Sequence, residues 1–303
     1  MILPVVLRPP REEDVSAMIE LMNAASRAAF GTADTTEAEL RRWLTSPDVE
    51  PERDIRLAEQ DGRIVGYADV DPTGTEPVRN WCDICVHPSV EVETVAAVLV
   101  GWAEERSREG FLRVWAPSVA ADLKRSYERL GFDLVRHSYR MQIDLGAEPD
   151  APAWPEGIEV RTFSEGDERA VYEAHQETFE DSWEHVREPY EEWAHWLIER
   201  DDFDPTLWFL AHGGNDLAGI LLSVPMESEP DAGYVQILGV RRGWRRRGLG
   251  VALLQQAFRA FHRRGFARVT LGVDATSLTG ANRLYESAGM RVVRQFDFYE
   301  KAL

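Results

Sequence analysis

The stretch Val235–Gly250, VQILGVRRGWRRRGLG, constrains this chain more than any other. It opens with the apolar run Val235-Gln236-Ile237-Leu238-Gly239-Val240, short and β-branched enough for a buried strand. A charged turn, Arg241-Arg242-Gly243-Trp244, leads into Arg245-Arg246-Arg247-Gly248-Leu249-Gly250. A helix starts at once with Val251-Ala252-Leu253-Leu254, and Phe258 and Phe261 lie farther along its apolar face. Strand, arginine- and glycine-bearing turn, then helix: this order suits a pyrophosphate. The first N–H groups of a helix lack internal partners, and the helix dipole adds partial positive charge there. Glycines allow close backbone approach, and arginines add charge-assisted hydrogen bonds. Taken alone, the stretch reads equally well as a basic surface turn that caps a helix.

A second stretch breaks the tie. Ala281-Asn282-Arg283-Leu284-Tyr285-Glu286-Ser287-Ala288-Gly289-Met290 follows downstream. Arg245, Gly248 and Gly250 form an Arg-x-x-Gly-x-Gly spacing that resembles the acyl-CoA pyrophosphate loop of the GNAT N-acetyltransferase superfamily. The run from Ala281 to Met290 is similar to that superfamily's second signature, Ala-x-x-x-Tyr-x-x-x-Gly-Phe. The resemblance implies an α/β fold, a central mixed β-sheet flanked by helices.

The pattern occurs twice. Val86 and Val240 align without gaps through the helix that follows each, and Tyr127-Glu128-Arg129-Leu130-Gly131-Phe132 falls opposite Tyr285–Met290. Between the copies, residues 146–156, GAEPDAPAWPE, carry three prolines and no periodicity. The expected organisation is therefore a first domain over 1–145, a linker over 146–156 and a second domain over 157–303. The copies differ where it matters. Glu91 stands opposite Arg245, Thr94 opposite Gly248 and Ala96 opposite Gly250, with Glu93 beside them. Carboxylates at a phosphate site repel the ligand, and side chains block backbone approach. The first copy reads as degenerate, with Tyr127 in a core, and the second as catalytic.

The resemblance implies acetyl transfer from acetyl-CoA to an amine. It places the cofactor on Leu238, Gly239, Val240, Arg245, Arg246, Arg247, Gly248, Leu249 and Gly250. It makes Tyr285 the acid for the departing thiolate. Where many members carry a cofactor-facing asparagine, the nearest equivalent here is Ser277, and Asn282 is expected to replace the lost amide in part. Glu180, Asp181, Trp183 and Tyr234 fall in the acceptor region, with Trp193 and Trp196 adding aromatic bulk. The general base is open among Glu180, Asp181, Glu184, His185, Glu227, Glu229, Asp231 and a water chain. In architecture the chain is similar to the tandem-domain group of mycothiol synthase. That enzyme starts the equivalent strand with a glutamate, and Tyr234 stands there instead, so the specific activity does not carry over. Transfer to a protein or peptide N-terminus, and a non-catalytic acyl-CoA sensor, are the alternative readings.

Composition narrows the partners. Net charge is −19 over 303 residues, with 34 Lys/Arg against 53 Asp/Glu. Such a surface repels nucleic acid and anionic membranes and tolerates a small cationic substrate. The chain begins Met1-Ile2-Leu3-Pro4 without a charged n-region, and no apolar run approaches bilayer length, so a cytoplasmic monomer or homodimer is expected. Cys82 and Cys85 form a C-x-x-C pair with no second pair or histidine cluster. No metal is expected there. Three residues apart on a strand, they should face opposite sides as structural residues.

Overall fold

The computed structural model describes residues 4–46, 49–72, 78–107, 109–183, 185–200, 203–276 and 280–303. The chain divides into two compact units. Unit 1 comprises Met1–Ser138 with Arg294–Leu303, and unit 2 comprises Tyr139–Val293.

In chain order the first copy gives β1 (Val6–Arg8), α1 (Val15–Phe30), α2 (Glu37–Leu44), α3 (Pro51–Asp54), β2 (Ile55–Gln60) and β3 (Arg63–Asp69). Then come β4 (Asp71–Pro72), β5 (Arg79–Cys82), β6 (Ile84–Val86), α4 (Val92–Ser107), β7 (Phe111–Pro117), α5 (Ala121–Arg129) and β8 (Asp133–Asp144). The second copy gives β9 (Ile158–Thr162), α6 (Glu168–Phe179), α7 (Tyr190–Leu197), β10 (Phe209–Gly213) and β11 (Asp216–Pro225). It ends with β12 (Ala232–Val240), α8 (Leu249–Arg263), β13 (Arg268–Asp274), α9 (Ala281–Ser287) and β14 (Arg291–Ala302).

Local chemistry accounts for the ends of these elements. Asp61 and Gly62 both adopt positive φ, 53° and 70°, as a two-residue hairpin turn between β2 and β3 requires. At α2 a capping box closes the first turn: Thr36 Oγ1 accepts from the Glu39 amide, and Glu39 accepts from the Thr36 amide. That box extends α2 back to Glu37, beyond the Leu40–Leu44 run that hydrophobicity alone marks.

Within unit 2 the strands run in the order β8-β13-β12-β11-β10-β9. β12 pairs antiparallel with β11 and parallel with β13. One face carries α8 and α9 over a core of Val235, Leu253, Phe258, Phe261 and Leu271. The other carries α6 and α7 over Val171, Trp193, Trp208, Ile220 and Leu222. In unit 1, β1-β2-β3-β6 form one sheet and β4-β5-β7-β14-β8 another. Cys82 is buried in the core beneath α4, while Cys85 packs toward α1, and both are free thiols. Burial raises both thiols, Cys85 to about 12, which fits their structural role.

The units do not follow a cut at 146–156. Each copy gives its closing strand to the other unit: β8 passes into unit 2 after Ser138, and β14 passes into unit 1 at Arg294. The cause is packing. Met141 on β8 is fully buried in the α8 core of unit 2, and Tyr299 on β14 is buried in the α4 core of unit 1. Residues 146–156 have no helix or strand, yet they are tethered to unit 2. Arg259 donates to Pro149 O and pairs with Glu148, and Trp154 packs on the α8 core. Among the described residues no helix is long and apolar enough to cross a membrane.

Candidate active site

The site in unit 2 begins with a mismatch in strand lengths. β12 pairs with β13 only from Ala232↔Arg268 to Val235↔Leu271. β12 continues to Val240, and β13 to Asp274, without further pairing between them. A register shift against β11 at Leu222/Ser223 leaves Gln236 without a ladder partner, and a bulge of this kind bends its strand. The two parallel strands therefore part like a V. Ile237, Leu238, Gly239 and Val240 pair with β11 on one side, and β13 leaves their other edge unpaired, with its last carbonyl, Val240 O, accepting from Arg245 Nε (2.9 Å). An extended amide-bearing chain can pair with such an edge as an added strand.

The loop after β12 supplies the second feature. Among the described residues, the backbone N–H groups of Arg246, Arg247, Gly248, Leu249, Gly250 and Val251 have no protein acceptor. Arg246 has φ +64° and Gly248 φ +86°. Left-handed residues in a turn curl successive N–H groups toward one point, which makes an anion nest. α8 begins there without a side-chain cap. Gly248 is needed for its φ, and a Cβ there would meet open space.

The arginines divide the work. Arg245 does not point outward as a phosphate ligand. Its guanidinium donates to Val240 O (2.9 Å), Asp181 Oδ2 (2.8 Å) and Thr178 O (3.3 Å). Arg242 donates to Asp181 Oδ1 (2.6 Å), and Arg241 to Glu177 Oε2 (2.7 Å). These bonds fasten the loop to the end of α6. Arg246 and Arg247 remain exposed, with Arg247 lying 5.0 Å over the Trp244 ring. Gly239 also has a different duty from the one expected. A Cβ there would collide with Thr178 Oγ1 on α6, so the glycine admits the helix, not the cofactor.

Tyr285 on α9 is buried, and burial, with the Tyr234 phenol beside it, pushes its hydroxyl up to about 12. It holds its proton at neutral pH. Tyr234 projects from β12, away from the α8 core, and its hydroxyl lies against Gly272 on β13. Gly272 is exposed, where the strands part. Asn282 donates through Nδ2 to Asp274 O (3.1 Å) and Ala275 O (2.9 Å), fixing the start of α9 to the end of β13. Among the described residues its Oδ1 is buried without a partner, as is Gln236 Oε1. Ser277 and Glu184 lie outside the described residues.

The carboxylates proposed as bases are engaged elsewhere. Asp181 takes both Arg242 and Arg245, which hold its carboxyl at about 2. Glu180 stands 3.7 Å from Arg242. Glu229 and Asp231 share Arg268, and Glu227 faces Arg200 at 3.9 Å. Trp193 is fully buried in the α6–α7 core and donates to His175 Nδ1 (3.0 Å), so it does not line an acceptor site. Trp196 packs on the same core, and Trp183 is half-buried. Burial lowers the pKa of His185, so its imidazole is neutral at pH 7. Glu188, not foreseen from sequence, precedes α7. Burial and neighbouring Glu192 push its carboxyl up to about 7. No motif marks such a residue, because its environment comes from folding.

Unit 1 parts its strands at the equivalent place. β5 pairs in parallel with β7 through Cys82↔Val114, and β6 turns to β3. The Asp83 amide between them donates to Asp69 Oδ1 (3.0 Å), the Asp83 carbonyl accepts from the Asp69 amide (3.2 Å), and Trp115 Nε1 donates to the Asp83 carboxylate. At the start of α4, Glu91 Oε2 accepts from the Thr94 amide (2.7 Å). Glu93 pairs with Arg129. Tyr127, the counterpart of Tyr285, is fully buried and donates to Trp115 O (3.3 Å).

Two stretches of the chain, residues 15–132 and 169–290, match the description "Acetyltransferase (GNAT) family". The chain belongs to the GNAT acetyltransferase family. It is an acyltransferase of tandem GNAT fold. A GCN5-related N-acetyltransferase from Sphaerobacter thermophilus superposes with a TM-score of 0.82 at 32% identity, covering 99% of this chain and 96% of that one. A tandem GNAT protein from the clavulanic acid biosynthesis pathway shares the fold, with a TM-score of 0.77 at 17% identity, covering 99% and 98%. A mycothiol acetyltransferase of Catenulispora acidiphila is 28% identical over 94% of both chains. Members of the GNAT family use acetyl-CoA, and the open strand edge, the free amides and the unfilled space at Gly248 fit that cofactor.

Proposed function

We propose that this chain transfers an acetyl group from acetyl-CoA to the amine of a small molecule, with unit 2 catalytic and unit 1 architectural. One observation carries the assignment to unit 2: among the described residues the amides that open α8 are free, whereas unit 1 places the Glu91 carboxylate on the Thr94 amide at the start of α4. Acetyl-CoA supplies an activated acetyl thioester when bound. Residues Ile237–Val240 hold its amide-bearing arm along the edge that β13 leaves unpaired, and the amides of Arg246–Val251 hold its pyrophosphate. Exposed Arg246 and Arg247 add long-range attraction. Tyr285 keeps its proton in the resting enzyme and delivers it to the leaving sulfur.

A proton must leave the acceptor ammonium before it attacks. His185, an imidazole whose pKa burial lowers, and Glu188, a carboxyl pushed up to about 7, replace the ion-paired carboxylates as candidate bases in the acceptor-side segment. The name mycothiol acetyltransferase among relatives supports a small-molecule acceptor. Calorimetry should give one acetyl-CoA per chain, and thiol release with a panel of small amines should show turnover. Two equivalent binding sites would overturn the assignment to unit 2, and binding without turnover on any amine would overturn the reaction.

A further inference from the structure

Among the described residues, Arg140 is the half-buried arginine of unit 2 that has no carboxylate partner. The others of that class are paired: Arg200 with Glu227, Arg241 with Glu177, Arg245 with Asp181, Arg259 with Glu148, and Arg268 with Glu229 and Asp231. In a chain of net charge −19, an arginine left without an acid is conspicuous. Its position gives the reason. On β8, Tyr139, Met141 and Ile143 face the α8 core, so Arg140 projects from the opposite face. Tyr234 projects from that same face of β12. The Arg140 guanidinium carbon lies 4.9 Å from the centroid of the Tyr234 ring. Stacking orients a guanidinium and leaves its N–H groups free along the edges. The Tyr234 hydroxyl at the other end of the ring lies against exposed Gly272, where β12 and β13 part, and Tyr234 acts electrostatically on Tyr285. A free, oriented cation thus sits one aromatic ring away from the reacting centre.

We propose that Arg140 binds the carboxylate of the acceptor, so that the substrate class is a small amino acid-like molecule whose amine and carboxylate are a few bonds apart. The inference rests on the acetyl-transfer reading above and adds the acceptor's charge. A planar fork matches a carboxylate in bidentate geometry, and one arginine balances one negative charge. A phosphate would call for further cations. With the carboxylate on Arg140, the amine is directed along the Tyr234 ring to the phenol oxygens and the open strand edge. Tyr234 then acts as a spacer between the two recognition points.

The test uses the full chain and two matched probe sets, the L-α-amino acids and their carboxamides. Thiol release from acetyl-CoA is measured with each pool. In parallel, without acetyl-CoA, the unfolding midpoint is measured with pools of the N-acetyl amino acids and of their carboxamides. The carboxylates should be preferred about 10- to 100-fold in kcat/KM. Arg140→Gln should erase the preference through KM, and Arg140→Lys, which keeps charge but loses the fork, should restore part of it. The N-acetyl carboxylates alone should raise the midpoint, in wild type and not in Arg140→Gln. If carboxamides are acetylated equally well, or Arg140→Gln changes nothing, the carboxylate site is wrong and acetyl transfer stands. If neither pool is acetylated while carboxylates still raise the wild-type midpoint, the site stands and the transfer reading fails. No turnover and no midpoint shift overturns the proposal.

Discussion

Residues 83–96 and 237–250 occupy equivalent places in the two copies, and they treat negative charge in opposite ways. In unit 1 the Glu91 carboxylate already sits on the Thr94 amide at the start of α4, and its bonds to Thr94 hold it below the usual carboxylate range. In unit 2, among the described residues, the amides at the start of α8 stay free. Terminal N–H groups need acceptors, and at the start of α4 a carboxylate of the chain itself supplies one.

The largest expected effect comes from separating the copies. A fragment of residues 151–303 lacks Tyr139–Leu145, and so loses Met141 and Leu145 from the core that supports α8. It keeps residues 294–303, which belong to unit 1. Residues 1–150 lack Tyr299 from the α4 core. Each fragment should aggregate or show molten behaviour in near-UV circular dichroism, and mixing the two should restore folding. A soluble, active 151–303 fragment would contradict the exchange of closing strands.

Next in size is Gly248→Glu, which makes the loop of unit 2 resemble that of unit 1. The new residue must adopt φ +86°, at a cost of about 1–2 kcal/mol, and it brings a carboxylate to the amide nest. Acetyl-CoA binding by calorimetry should fall at least about 100-fold, equivalent to some 2.7 kcal/mol. Unchanged affinity would move the cofactor away from this loop.

The two tyrosines give a matched pair. Tyr285→Phe should lower kcat about 10²–10⁴-fold with little change in acetyl-CoA affinity, because the phenol acts on the leaving group. Tyr127→Phe should leave kcat unchanged and lower stability by about 1 kcal/mol, the worth of its bond to Trp115 O. Equal kinetic effects would erase the distinction between the units.

Much of this was legible in the sequence. The α8 stripe, the Asp61-Gly62 hairpin and the opposition of Glu91 to Arg245 all rest on local pattern, and the structure carries each of them. What escaped depends on partners distant in sequence. Asp181 reads as an acceptor-site acid until the fold brings Arg242 and Arg245 onto it from some sixty residues away. Gly239 reads as a cofactor glycine until α6 brings Thr178 against it. β8 and β14 read as closing strands of their own copies, since hydrophobic alternation does not say which sheet a strand joins.

The smallest effect tests the comparison most directly. Glu91→Ala removes the internal acceptor at the start of α4 and frees the Thr94 amide. If the carboxylate alone kept acetyl-CoA out of unit 1, a second binding event should appear. We expect none. Thr94 and Ala96 still stand where unit 2 has Gly248 and Gly250, and Glu93 still carries negative charge beside them. The variant should lose a little stability through its missing cap and keep one acetyl-CoA per chain. A second equivalent in calorimetry would show that a single side chain separates the two sites, and that unit 1 retains a latent cofactor cleft.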